Sequence, residues 1–178
     1  TMISARKILS ILVVILLALS LARIAGLVST YALGNPHANG LVPLFNFNEE
    51  QSVPTWFSSA LLAICASLLG VIAAAQRREG GPHRWWATLA FVFLYLSMDE
   101  ALSFHERLNR PVRELLHTSG ALYYAWVIPY ALFALVLAAF SIRPLKSIAR
   151  STRSLLIAAG AMFVCGAMGM EVVGSYLA

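Results

Sequence analysis

Five apolar runs dominate the sequence and limit what the chain can fold into. They occupy residues 8–33, 54–75, 85–104, 121–142 and 154–177. Each is near the length of about 20 residues that an α-helix needs to cross a hydrocarbon core about 30 Å thick. We therefore predict an all-α fold, a polytopic transmembrane bundle of five spanning helices, in which residues 1–178 form a single transmembrane domain.

The composition supports lipid as the solvent of this chain. Of its 178 residues, 60% are hydrophobic and only 12% are charged, and the mean hydropathy is +0.76. A soluble domain of this size needs far more charge to cover its surface. The net charge of +5 comes from basic residues in short loops between the apolar runs, which is a topology signal rather than a phosphate-binding stripe. We expect the lipid bilayer, and no nucleic acid, as a partner.

The distribution of the basic residues predicts the orientation. In a five-helix arrangement, nine of them fall on one side: Arg6, Lys7, Arg77, Arg78, Arg84, Arg143, Lys146, Arg150 and Arg153. Three fall on the other side: Arg107, Arg110 and Arg113. The positive-inside rule then places the N-terminus in the cytoplasm and the C-terminus outside. We expect the bacterial inner membrane, with the C-terminus in the periplasm.

The two ends of the sequence carry their own signals. Arg6 and Lys7 resemble the charged start of a signal peptide, but the apolar stretch that follows is too long and lacks a clean cleavage site. We therefore predict a retained anchor. The last run stops at Ala178 without a polar tail, so we expect the natural chain to continue beyond this residue.

Features near the ends of the runs predict helix boundaries. Trp85 and Trp86 open the third run, where their amphipathic rings suit the headgroup level. The stretch 111–119 starts with Pro111, a residue suited to the first helical position, and we predict a short interfacial helix there along the outer surface. Pro129 lies inside the fourth run, where we expect it to kink the helix.

The fifth run carries a stripe of small residues. Ala161, Cys165 and Gly169 recur at four-residue spacing, which leaves a smooth surface for close contact between helices. Packing within the bundle and contact with another membrane subunit would both use such a surface. The sequence leaves both uses open.

Charged residues within the runs predict a polar cluster near the outer face. A charge in a spanning helix costs several kcal/mol unless it is paired or hydrated. Counted from the cytoplasmic ends, Arg23, Asp99 and Glu171 lie about 22, 21 and 26 Å along their helices, so all three reach the outer third of the bilayer. We expect Arg23 to be the counter-ion of the acids. The predicted cluster consists of Arg23, Asp99, Glu100, Ser103, Glu106 and Glu171.

The same segment supports a second hypothesis, a metal site. Asp99, Ser103 and Glu106 recur at helical spacing on one face, and carboxylates with an imidazole suit zinc, iron or manganese. The candidate ligands are Asp99, Glu100, His105, Glu106 and Glu171, with His37, Glu49 and Glu50 as candidates from the outer loop. The spacing matches no complete metal signature, so a structural salt-bridge cluster remains the alternative.

Two segments of the chain resemble a group of uncharacterised bacterial multi-pass membrane proteins. The segments are Pro54-Thr55-Trp56-Phe57-Ser58, preceded by Glu50, and Ser97-Met98-Asp99-Glu100, followed by His105-Glu106. The group is similar in its Pro-Thr-Trp-aromatic-Ser opening of a helix and in a later Ser-x-Asp-Glu…His-Glu segment. The resemblance implies the same membrane topology and singles out the same acidic segment, without implying a reaction.

The motifs limit the functions that remain open. No Walker loop, dinucleotide fingerprint or nucleophile elbow is present, and no run holds a deep histidine for haem. We therefore expect neither nucleotide nor haem as a cofactor, and the sequence names no catalytic residue. We favour a non-catalytic accessory or structural subunit of a larger membrane complex. The alternative is an outward-facing intramembrane protein that binds a metal or small ligand, with a metal-dependent enzyme as one form, and uses the segment 99–106.

Overall fold

The fold is entirely helical in the part of the chain that the computed structural model describes, residues 4–118 and 122–175. The helices are α1 (Ala5–Tyr31), α2 (Leu41–Leu44), α3 (Val53–Arg78), α4 (His83–Leu102), α5 (Phe104–Leu116), α6 (Val127–Ser147) and α7 (Arg150–Ser175). A 3₁₀ turn at Ala38–Gly40 precedes α2. The predicted all-α fold is confirmed.

Four helices, α1, α3, α6 and α7, are each long and apolar enough to cross a membrane. Helices α4 and α5 pass the same test only together, and they are bent by 84° where they meet. The described residues thus contain four candidate spans, or five if the bent pair forms one. The multi-pass prediction is confirmed with shifted boundaries, since the fourth run, placed at 121–142, is helical over Val127–Ser147. Positions 119, 121 and 177, where three predicted segments begin or end, lie outside the described residues.

The short helix predicted near 111–119 begins earlier than expected. Ser103 adopts a left-handed conformation with φ 54° and separates α4 from α5, so the chain starts a new helix at Phe104. Pro111 therefore lies inside α5 rather than at its first position. The predicted start at residue 111 was wrong because Pro111 was taken as the first residue of the helix. The helix starts instead after Ser103, whose left-handed conformation ends α4.

Pro129 does not have the effect on α6 that its place in the apolar run predicted. Because α6 begins at Val127, Pro129 lies in its first turn. The N–H groups of a first turn have no intrahelical acceptor, so a proline there removes no helical hydrogen bond. Pro129 therefore gives no physical cause for the predicted kink in α6.

The chain divides into two compact units, and the first comprises Thr1–Ala66 and Phe93–Leu102. It contains α1, α2, the first half of α3 and the end of α4. Helix α2 packs on α1 where α1 has a glycine: a Cβ atom on Gly26 would lie 3.6 Å from Val42 Cγ1. Hydrogen bonds between polar groups join α3 to α4 in this unit.

The second unit comprises Ser67–Val92 and Ser103–Ala178 and contains a tryptophan-centred core. Trp85 and Trp86 are 3% and 7% exposed, and their ring centroids are 4.5 Å apart. The core residues and their apolar neighbours are Ala73, Trp85, Trp86, Leu69, Leu89, Leu145, Ile148 and Leu156. Both tryptophans thus pack inside the unit, whereas the sequence placed them among the headgroups.

This core also shows where several helix ends lie. Trp85, near the start of α4, donates from Nε1 to Ser141 Oγ on α6 at 3.0 Å. Leu145 at the end of α6 and Leu156 near the start of α7 pack on the same core. The start of α6 must then lie at the opposite end of the unit. The chain therefore passes from one end of the unit to the other between residues 83 and 127. With 20 residues, or about 30 Å, α4 by itself has the length of one membrane crossing.

Candidate functional site

The start of α3 is fixed by a serine cap that the sequence analysis did not assign. Ser52 is fully buried, and its Oγ accepts a hydrogen bond from the Thr55 backbone N–H at 3.3 Å. The Thr55 hydroxyl in turn donates to the Glu49 carbonyl at 3.1 Å. These bonds satisfy free groups of the first turn and hold the Glu49-Glu50 segment against it. The sequence signal for this cap was the spacing of Ser52 three residues before Thr55.

A cleft of about 360 Å³ lies beside this cap, entirely within the first unit. Its lining residues are Glu50, Gln51, Thr55, Trp56 and Ala101. Glu50 was a predicted outer-loop candidate, and the structure places it beside Ala101, the residue that follows Glu100. The structure thus brings the 49–56 segment and the end of α4 to one site.

Serine side chains join α3 to α4 within the first unit. Ser58 Oγ donates to Glu100 Oε1 at 2.5 Å. Next to it, Ser59 Oγ donates to the Ser97 carbonyl at 2.8 Å, and Ser97 Oγ donates to the Ser59 carbonyl at 2.8 Å. Such interhelical bonds hold spanning helices together where lipid provides no competing water. Glu100 was a predicted cluster member, but its serine partner was not identified.

Arg23 and Asp99, the predicted ion pair, also lie in the first unit. Asp99 is 5% exposed, and Arg23 is half-buried on α1. Within residues 4–118 and 122–175, no ion pair to Arg23 is found. Its role as counter-ion stays a prediction. The acidic residues Glu50, Asp99, Glu106 and Glu171 each take part in a hydrogen bond or another electrostatic or ring interaction, as do Ser103 and His105.

Glu106, a member of the predicted cluster, and His105, a candidate metal ligand, lie on α5 in the second unit. The His105 ring lies 4.7 Å from the Trp126 ring, centroid to centroid. Trp126 also donates its backbone N–H to Asn109 Oδ1 at 3.2 Å. These contacts fix α5 against the start of α6. Glu106 is exposed on α5, and Glu171 is half-buried on α7.

The candidate ligands of the metal hypothesis divide between the two units. His37, Glu49, Glu50, Asp99 and Glu100 belong to the first, and His105, Glu106 and Glu171 to the second. Among the described residues, no group of three or more His, Cys, Asp or Glu is arranged to hold a metal ion. The metal site therefore stays a prediction from the sequence.

A comparison with protein families shows the family to which this chain belongs. The family described as domain of unknown function DUF8692 matches residues 8–178. The chain belongs to this family. The match takes in α2 to α7 and all but the first turn of α1. No curated protein and no solved structure matches the chain. The resemblance to bacterial membrane proteins stays a prediction for this DUF8692 member.

The last candidate span of this DUF8692 protein has no buried residue in its apolar window. In α7, 0% of the apolar window is buried, and Ala161, Cys165 and Gly169 are all exposed. A Cβ atom added to Gly160, Gly166 or Gly169 would meet no described atom within 4 Å. The sequence left two uses open for the small-residue stripe, packing within the bundle and contact with another subunit. The described residues do not pack against the stripe.

Proposed function

We propose that this protein is a non-catalytic subunit of a larger complex in the bacterial inner membrane, and that α7 is the helix through which it joins that complex. The observation that carries the proposal is the exposed stripe of Ala161, Cys165 and Gly169 on α7. We take its occupant to be a spanning helix of a partner subunit.

The chemistry of the stripe supports a protein neighbour over lipid. Hydrophobicity does not favour helix contact over lipid contact inside a bilayer, so close packing of backbones must stabilise helix pairs there. Small residues permit that close approach, and α7 presents them without a neighbour. Bulky exposed chains, such as Leu9 and Val14 on α1 and Met162 on α7, instead form surfaces suited to lipid tails.

The polar bonds of the first unit support a structural role for its buried polar groups. The Ser58–Glu100 bond and the reciprocal Ser59–Ser97 bonds each join α3 to α4. These serine and glutamate side chains hold the two helices in register, which is a structural role that requires no substrate. A subunit of this kind needs a stable bundle and a free helix face, and no reaction.

The two native cysteines provide a direct test. Both are free and exposed, Cys65 on α3 and Cys165 within the stripe, so Cys65→Ala and Cys165→Ala leave one probe each. A photoactivatable maleimide placed on each variant in native membranes is expected to give one discrete adduct from Cys165 and none from Cys65. Equal adducts from both positions, or none from either, would contradict the proposal.

A pair of glycine substitutions sharpens this test. An added Cβ has open space at both Gly169 on α7 and Gly70 on α3, so neither Gly169→Leu nor Gly70→Leu should disturb the bundle. We expect Gly169→Leu alone to reduce the Cys165 adduct at least about ten-fold, because a bulky chain separates closely packed backbones. If the small-residue stripe is not the contact surface, Gly169→Leu should leave the Cys165 adduct as unchanged as Gly70→Leu does.

A further inference from the structure

A second cleft, of about 560 Å³, lies between the end of α3 and the start of α4 in the second unit. It is lined by Ala73, Ala74, Arg77, Arg78, His83 and Ala87. Arg77 and Arg78 form the last turn of α3, and His83 begins α4. The turn between them is tight because Gly80 adopts a φ of 70°, which glycine tolerates without strain.

The cleft is positively charged. Arg77 and Arg78 are exposed, and the described residues offer neither of them an ion pair. The neighbouring acid Glu79 accepts a hydrogen bond from Gln76 Nε2 at 3.3 Å. The start of α4 adds to the positive field, because the free N–H groups and the dipole of a helix N-terminus favour anions.

The histidine of the cleft is held in place by the turn. His83 Nδ1 lies 3.2 Å from the Gly81 carbonyl oxygen. A carbonyl oxygen only accepts, so Nδ1 carries the hydrogen in this bond. The Nε2 atom is then left for another hydrogen bond, either as an acceptor in the neutral ring or as a donor in the charged ring.

We propose that this cleft binds the phosphate headgroup of an anionic phospholipid. Two guanidinium groups that line one cleft suit phosphate oxygens, which they can engage with paired hydrogen bonds. The three alanines give the rest of the cleft an apolar floor, which suits the glycerol and the first acyl carbons. A free phosphate ion would use the arginines but not this floor. Basic clefts at the ends of spanning helices are places where such headgroups bind. This site is independent of the proposed partner helix on α7.

The test compares two variants of equal net charge in the full chain. Arg77→Gln with Arg78→Gln removes both guanidiniums of the cleft. Arg107→Gln with Arg110→Gln removes two exposed arginines of α5, outside the cleft. Each protein is reconstituted in phosphatidylcholine vesicles with spin-labelled phosphatidylglycerol or spin-labelled phosphatidylcholine. Electron paramagnetic resonance then gives the preference for the anionic lipid, and circular dichroism checks the helix content.

The wild-type protein is expected to prefer phosphatidylglycerol, and the cleft variant to lose that preference by about five-fold. In the α5 variant the preference for phosphatidylglycerol should change less than about two-fold, because its substitutions lie outside the cleft. An equal loss in both variants, or an unchanged preference in the cleft variant, would overturn the proposal. Displacement of the lipid by excess inorganic phosphate, but not by chloride at equal ionic strength, would overturn the lipid as the occupant.

Discussion

Replacing Trp85 with alanine is expected to lower the free energy of unfolding by about 3–5 kcal/mol, the range for truncating a large buried aromatic side chain. Trp85 is 3% exposed and packs on Trp86 at a centroid distance of 4.5 Å. Its Nε1–H donates to Ser141 Oγ, so the substitution removes a link from α4 to α6 as well as the bulk of the ring. Unfolding in detergent with increasing dodecyl sulfate, followed by circular dichroism, measures the effect.

Trp56→Ala is the matched control for this prediction. Trp56 is 75% exposed, so its truncation should change the same free energy by no more than about 0.5 kcal/mol. Ser141 should remain satisfied in the Trp85 variant because its hydroxyl also donates to the Leu137 carbonyl at 2.7 Å. Equal stability of the Trp85 and Trp56 variants would show that the tryptophan core does not hold the second unit together.

Replacing Ser97 with leucine is expected to give the next largest loss, about 2–4 kcal/mol, most of it from overpacking. Ser97 is 7% exposed, and its hydroxyl donates to the Ser59 carbonyl at 2.8 Å. A leucine would force α3 and α4 apart and break the reciprocal bonds between them. Ser97→Ala removes one bond without added bulk and should cost only about 0.6 kcal/mol, the average for an interhelical bond in a membrane.

The control for overpacking is Ser20→Leu on α1. Ser20 is exposed, and its hydroxyl donates to the Leu16 carbonyl of its own helix at 2.8 Å. A leucine there would meet lipid or detergent, so we expect a change within about 0.5 kcal/mol. The same dodecyl sulfate titration compares the variants. A Ser97→Leu variant as stable as Ser20→Leu would contradict the close packing of α3 against α4.

The spanning helices were predictable because length and hydropathy are local properties of a sequence. The break at Ser103 was not, since neither glycine nor proline marks it and the residues on both sides suit a helix. Its left-handed φ of 54° depends on the surrounding structure. Pro111 misled the prediction because proline favours a helix start only as a preference, and here it lies within α5, a helix with no buried residue.

The candidate site was predictable only in its charged members. Glu100 was identified because a carboxylate inside an apolar run is costly. Its partner Ser58 lies 42 residues earlier in the chain, and the rotation of two helices about their axes decides whether the two side chains meet. Trp85 was misplaced for a related reason, because amphipathic rings suit both headgroups and a core with a hydrogen-bond acceptor, here Ser141. Sequence position alone does not separate these two environments.

We infer that the chain crosses the membrane five times, with the basic turns after α3 and α6 in the cytoplasm and α5 on the outer side. Single cysteines test it in a background without Cys65 and Cys165. The variants place probes at four exposed positions: Asn48→Cys, Glu79→Cys, Leu115→Cys and Ala149→Cys.

A membrane-impermeant maleimide applied to intact cells is the measurement. We predict that the Asn48 and Leu115 variants react in intact cells, and that the Glu79 and Ala149 variants react only after the membrane is opened. Reaction of the Leu115 variant on the same side as the Glu79 variant would mean that α4 does not cross the membrane, and would contradict the five-span topology.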